Sequence, residues 1–153
     1  MAENEERIIF TVGVFQDTAW AERGLEALKR RGFTADSLSI VAKHSPAVAE
    51  LVERALAAET TPVDVSGLGS AVASGPLVAA LQGADGGFGK TGIAATIRRA
   101  GFQAHDGFIF ETLTARGGVL VGVESEALAA DALTVMHAYG GGNAAIGAWT
   151  GRV

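Results

Sequence analysis

Val63–Gly101 reads VDVSGLGSAVASGPLVAALQGADGGFGKTGIAATIRRAG. Gly and Ala dominate it, charge is sparse, and the fold depends on what this stretch becomes. Gly67, Ala71, Gly75, Ala79 and Gly83 recur every fourth residue. On a helix that spacing makes one flat stripe, against which another backbone can pack closely. Pro76 lacks an amide donor and clashes one turn back, so the expectation is two short helices meeting at Gly75-Pro76. The next residues, Ala84–Thr91 (ADGGFGKT), match the loose form of a phosphate-binding loop. Val63–Leu81 also has the length of a membrane span, but Asp64, several Ser and Pro76 interrupt it. A buried small-residue segment is therefore expected there.

Outside this stretch the chain is regular. Arg7–Phe15 (RIIFTVGVF) is a β-branched and aromatic run that reads as an interior strand. Asp17 or Thr18 caps a helix over Ala19–Arg31, with Ala21, Leu25 and Leu28 on one face, and Gly32 ends it. Leu38–Ala42 is a second strand. Ser45-Pro46 opens a helix to about Ala58, and Thr60-Thr61-Pro62 breaks it. After the Gly-rich stretch, Gln82–Gly89 reads as loop and Gly92–Arg99 as a short helix. Phe102–Ala115 reads as a helix burying Phe108, Phe110 and Leu113. Gly117-Gly118 turns the chain into a strand over Val119–Glu124. A helix from Ser125 or Glu126 to Tyr139 and a weak strand over Ala144–Trp149 close the sequence.

The two ends repeat each other. Val12-Gly13-Val14 corresponds to Val121-Gly122-Val123, and Ala21, Leu25, Leu28 and Gly32 correspond to Ala129, Leu133, Met136 and Gly140. Two strand–helix–strand units, 7–43 and 117–150, flank an insertion of helices and Gly-rich segments over 44–116. The expected fold is α+β and one domain over 1–153. It is a ferredoxin-like four-stranded sheet with both crossover helices on one face. The bare face must then be covered by the inserted helices or by a second subunit.

Three segments carry a resemblance. They are TVGVFQDTAWAERGLEALKRRGFTADSLSIVAK (Thr11–Lys43), SGPLVAALQGA (Ser74–Ala84) and GFQAHDGFIFETLTARGGVLVGVES (Gly101–Ser125). In this order they resemble the bacterial general-stress-protein-like domains of unknown function, which are heat- or low-temperature-induced. The resemblance implies stress association and brings no catalytic signature. The middle of this chain is shorter and more polar than the membrane-like Gly/Ala run of those domains.

Of the 153 residues, 48% are hydrophobic, 19% are charged and 21 are Gly. That composition belongs to a globular chain with many tight backbone contacts. A net charge of −5 argues against nonspecific nucleic-acid binding. Lys29-Arg30-Arg31 and Arg98-Arg99 sit near expected helix C-termini, where cations complement the dipole. With no Cys there is no disulfide, thiol nucleophile or thiolate metal site. The acidic start, Met1–Glu6, differs from a signal peptide, and a cytoplasmic location is expected.

Few residues suggest chemistry. In the phosphate-loop reading Gly86, Gly87 and Gly89 supply backbone amides, Lys90 reaches the β and γ phosphates, and Thr91 binds Mg²⁺. That reading needs a strand before the loop, whereas LVAALQG reads as helix. His44, His105 and His137 lie in separate segments with no second ligand at helical spacing, so no metal site is expected. Asp17 and Glu124 end corresponding strands and could meet across the sheet, although capping explains Asp17 more simply. Trp20, Trp149 and Tyr139 read as core. No catalytic residue and no cofactor is expected. The leading expectation is a non-enzymatic homo-oligomer with Gly67, Ala71, Gly75, Ala79 and Gly83 in the contact, or with that stripe packed inside one subunit. Nucleotide binding at 84–91 and membrane contact through 63–83 are the alternatives.

Overall fold

The computed structural model describes residues 10–124, 129–138 and 148–150. Strand β1, Phe10–Phe15, is buried along its whole length. Helix α1, Thr18–Arg30, begins where the Asp17 carboxylate accepts from the Trp20 amide at 2.9 Å, and left-handed Gly32 follows its end. Strand β2 is Leu38–Lys43. Helix α2, Pro46–Leu56, has Ser45 accepting from Val48 N at 3.1 Å and Pro46 in its first turn. These bounds agree closely with the sequence reading, because each end is set by a local capping residue.

The Gly-rich stretch departs from expectation. Val63–Val65 (β3) and Gly69–Ser74 (β4) form a hairpin, and Pro76–Gln82 is helix α3. Val63–Gly75 contains no helix, and Pro76 starts a helix and does not kink one. Small residues at every fourth position are also on one face of a strand, so the spacing alone does not separate the two states. Val63, Val65 and Val72 favour the strand, and Gly67 in the turn and Gly69 at the start of β4 take φ of 89° and 80°. The expected loop over Gln82–Gly89 is also shorter. Helix α4 runs Gly87–Thr96, kinked at Gly92 (φ 95°, ψ −178°), and a 3-10 turn follows over Ile97–Ala100. Helix α5 is Ala104–Ala115. Strand β5 is Val119–Glu124, helix α6 is Ala129–Ala138 and strand β6 is Ala148–Thr150.

The protein is α+β with an antiparallel sheet in the order β3-β4-β2-β5-β1-β6. The sheet has six strands where four were expected, because the β3–β4 hairpin pairs with β2 and extends it. This pairing hides the edge that β2 would otherwise expose. The repeat has a direct counterpart in the register. Val12 pairs with Gly122 and Gly13 with Val121, so the two Val-Gly-Val segments lie side by side, each Gly opposite the other's Val. A Cβ at Gly122 would lie 2.9 Å from Leu77 Cδ2, and its absence lets α3 descend onto the sheet. Helices α1, α2 and α6 cover one face, burying Phe15, Leu25, Leu28, Leu51, Val121 and Met136. Helices α3, α4 and α5 of the insertion cover the other, burying Val12, Val14, Leu77, Ile93, Phe110 and Leu120. The face left bare by the crossover helices is thus covered within the same chain.

Two expectations about burial change. Phe110 is buried, but Phe108 is 64% exposed and Leu113 is only half-buried. Arg7–Ile9, Ser125–Leu128, Tyr139, Gly140 and the residues 144–147 lie outside the described residues, as do the side chains of Leu133, His137 and Trp149.

Candidate functional site

The segment 84–91 follows a helix, α3, where a phosphate loop would follow a buried strand. Its amides are already engaged. Gly87 N donates to Asp85 Oδ1 at 3.1 Å, and Gly89 N donates to Gln82 Oε1 at 3.0 Å. The Thr91 hydroxyl donates to Gly87 O at 2.7 Å, and Lys90 is exposed, with the end of its side chain over Gly86. Gly86, Gly87, Gly89, Lys90 and Thr91 therefore form a helix start in which the Gly87 and Gly89 amides face the side chains of Asp85 and Gln82.

Arg99 holds this loop. Its Nη1 donates to Leu81 O (2.9 Å), Gln82 O (3.2 Å) and Asp85 Oδ1 (2.9 Å), and its Nη2 donates to Asp85 Oδ2 at 2.9 Å. One guanidinium thus satisfies carbonyls at the C-terminus of α3 and forks onto a carboxylate. The sequence reading gave Arg98-Arg99 a helix-dipole role. Arg99 performs it on α3, not on the turn to which it belongs.

The hydrogen bond from Arg99 holds the Asp85 carboxyl down to about 2, below its ordinary 3.8, and the Gly87 amide adds to the effect. The same pairing raises Arg99. Because the folded value is depressed, the pair's stabilisation is fully present above pH 3.8 and is lost as pH falls through about 2. An NMR titration of Asp85 should give a midpoint near 2, returning toward 3.8 in Arg99→Ala. A wild-type midpoint near 3.8 would mean that the latch is open in solution.

The five small residues do not share one face. Gly67 lies in the hairpin turn, Ala71 is buried in β4, Gly75 precedes α3, Ala79 is exposed on α3, and Gly83 ends it. Three of them answer to contacts within the chain. A Cβ at Gly67 would lie 2.8 Å from Glu111 Oε2, one at Gly83 2.7 Å from Arg99 Nη1, and one at Gly75 2.6 Å from Ser39 Cα. Glu111, which the sequence reading passed over, reaches from α5 to accept from Ala94 N at 2.9 Å, capping the helix that resumes after the Gly92 kink. Ser39 was also missed. It is buried in β2 and accepts from Leu77 N at 2.9 Å, capping α3. A single polar residue within LSIVA was its only signal.

The remaining candidates do not converge. The antiparallel pairing sets Glu124 opposite Phe10, at the end of β1 remote from Asp17, so these two carboxylates do not meet. His44 and His105 are exposed on separate segments. Among the described residues no group of His, Asp and Glu could hold a metal ion, and no helix is long and apolar enough to cross a membrane.

What the surface offers is an uncharged hollow. On α5, His105, Phe108, Ile109, Thr112 and Leu113 line a shallow hollow of about 260 Å³. The exposed residues of α3 and α5 are Ala79, Gln82, Ala104, His105, Phe108 and Thr112, with no Asp, Glu, Lys or Arg among them. Helices α1 and α2 instead expose Arg23, Glu26, Arg30, Glu50, Glu53 and Arg54. Comparison of the chain with family models, curated proteins and solved structures finds no match in any of the three.

Proposed function

We propose that this is a non-catalytic, cytoplasmic, stress-associated protein that acts as a homo-oligomer. In this reading β2, β5, β1 and β6 form a ferredoxin-like unit, with 44–116 as its insertion. The stress association rests on the resemblance of Thr11–Lys43, Ser74–Ala84 and Gly101–Ser125 to the general-stress-protein-like domains. One observation carries the assembly reading: no exposed position of α3 or α5 is charged, whereas α1 and α2 expose six charged residues. Depletion of charge at the centre of a surface patch is what distinguishes protein interfaces, and a large exposed aromatic in that patch adds to the signal. The small-residue stripe no longer supplies the contact, since its members are divided among a turn, a strand and a helix.

Light scattering after gel filtration, without detergent and at concentrations up to about 500 µM, tests this reading at the weak end of specific association. A mass rising toward a discrete multiple of 15.6 kDa is expected. A constant monomer mass over the whole range would end the assembly reading.

A further inference from the structure

We infer that the contact between subunits is α5 packed against α5 of a second copy across a two-fold axis, with Phe108 of each copy seated in the other's hollow. The inference rests on the assembly reading above and specifies its surface. Phe108 projects as a knob, 64% exposed, and the hollow beside it is formed by His105, Ile109, Thr112 and Leu113 of the same helix. A two-fold contact requires one patch to be complementary to itself, and a helix face that carries both knob and hollow meets that requirement. Phe108 and Thr112 are one turn apart and lie on either side of the midpoint of Ala104–Ala115. An antiparallel pair with its axis level with Phe110, midway between them, sets Phe108 beside Thr112 of the second copy and opposes the two helix dipoles favourably.

Charge selects a second copy over a membrane. Two chains of net charge −5 repel, but the two carboxylates of α5, Asp106 and Glu111, are half-buried and accept from Gln103 N and Ala94 N, and none of its exposed positions is charged. An anionic lipid surface would need Lys or Arg around Phe108, and α5 contains neither. The twelve residues make a face roughly 18 Å long and about 10 Å wide, small beside a standard interface. The expected dimer is therefore weak, with Kd on the order of tens of micromolar.

The test is sedimentation equilibrium of the full chain from about 10 to 500 µM, comparing wild type, Phe108→Asp and Ala79→Asp. Phe108→Asp should weaken dimerisation by roughly thirtyfold or more, as at an interface hot spot, with circular dichroism and Tm unchanged. Ala79→Asp, on the other exposed helix, should dimerise like wild type. The chain has no Cys, so Ile109→Cys introduces a single thiol beside the axis, and mild oxidation should link two copies. A wild-type multimer that persists in Phe108→Asp, with no disulfide-linked pair in Ile109→Cys, would overturn the α5 contact and leave assembly standing on another surface. A wild type that stays monomeric throughout would overturn both. Binding to anionic vesicles that is lost in Phe108→Asp, with no dimer in solution, would give the face to lipid and also overturn the proposal.

Discussion

Gly75→Ala is expected to destabilise the protein by roughly 4 kcal/mol or more, the sum of strain, overpacking and a lost buried hydrogen bond. Gly75 has φ 114° and ψ 176°, a region that L residues rarely adopt. Its missing Cβ faces the backbone of β2, 2.6 Å from Ser39 Cα and closer still to Leu38 O and Ser39 Oγ. Because two of these atoms belong to the backbone of a strand in the interior of the sheet, no side-chain rotation relieves the contact. Relief requires α3 to lift from β2, which breaks the bond from Leu77 N to Ser39 Oγ at 2.9 Å and leaves a buried amide without an acceptor. Urea unfolding measures the loss. Ala79→Leu, exposed one turn further on, should stay within about 0.5 kcal/mol. A Gly75→Ala variant within about 1 kcal/mol of wild type would mean that α3 does not sit on β2 in this way.

The same pair of positions shows what the sequence could and could not convey. From spacing alone Gly75 and Ala79 belonged to one stripe, expected in a contact between subunits or packed inside one. In the fold one is wedged against a strand backbone and the other faces outward. Spacing of four residues is compatible with a helix and with a strand, and the β-branched valines were outweighed by the abundance of Gly and Ala. Where a local signal existed, the reading held. Asp17 and Ser45 cap the helices assigned to them, and the matching Val-Gly-Val segments lie together at the centre of the sheet. The residues that organise the insertion act over distance. Ser39 caps a helix 38 residues away, Arg99 reaches Leu81 across 18, and Glu111 reaches Ala94 across 17. No window of neighbouring residues contains both members of such a pair, so only the assembled fold brings them into view. The outward face of α5 was hidden differently. Apolar residues lie on both sides of that helix, and its sequence does not say which side is buried.

Phe110→Ala and Phe108→Ala decide that question directly. Phe110 is fully buried beneath the sheet and meets Phe102 edge-on, with ring centroids 5.5 Å apart and planes at 87°. Removing its ring should cost about 3–5 kcal/mol, from lost transfer energy, the cavity left behind and the lost aromatic pair. At this chain length the corresponding fall in Tm is on the order of 10 °C. Phe108, two residues away and 64% exposed, should lose no more than about 0.5 kcal/mol in the dilute monomer. Two positions along a helix turn the side chain by about 200°, so the two rings cannot both point at the sheet. Chemical unfolding at low micromolar concentration, below the expected dimer affinity, separates them. If the costs came out reversed, α5 would have to be rotated about its own axis, with Phe108 inward. The hollow beside it would then face the core, and the surface on which the two-fold contact depends would not exist. The pair of alanine variants therefore tests the fold and the assembly surface through one property, the rotation of α5.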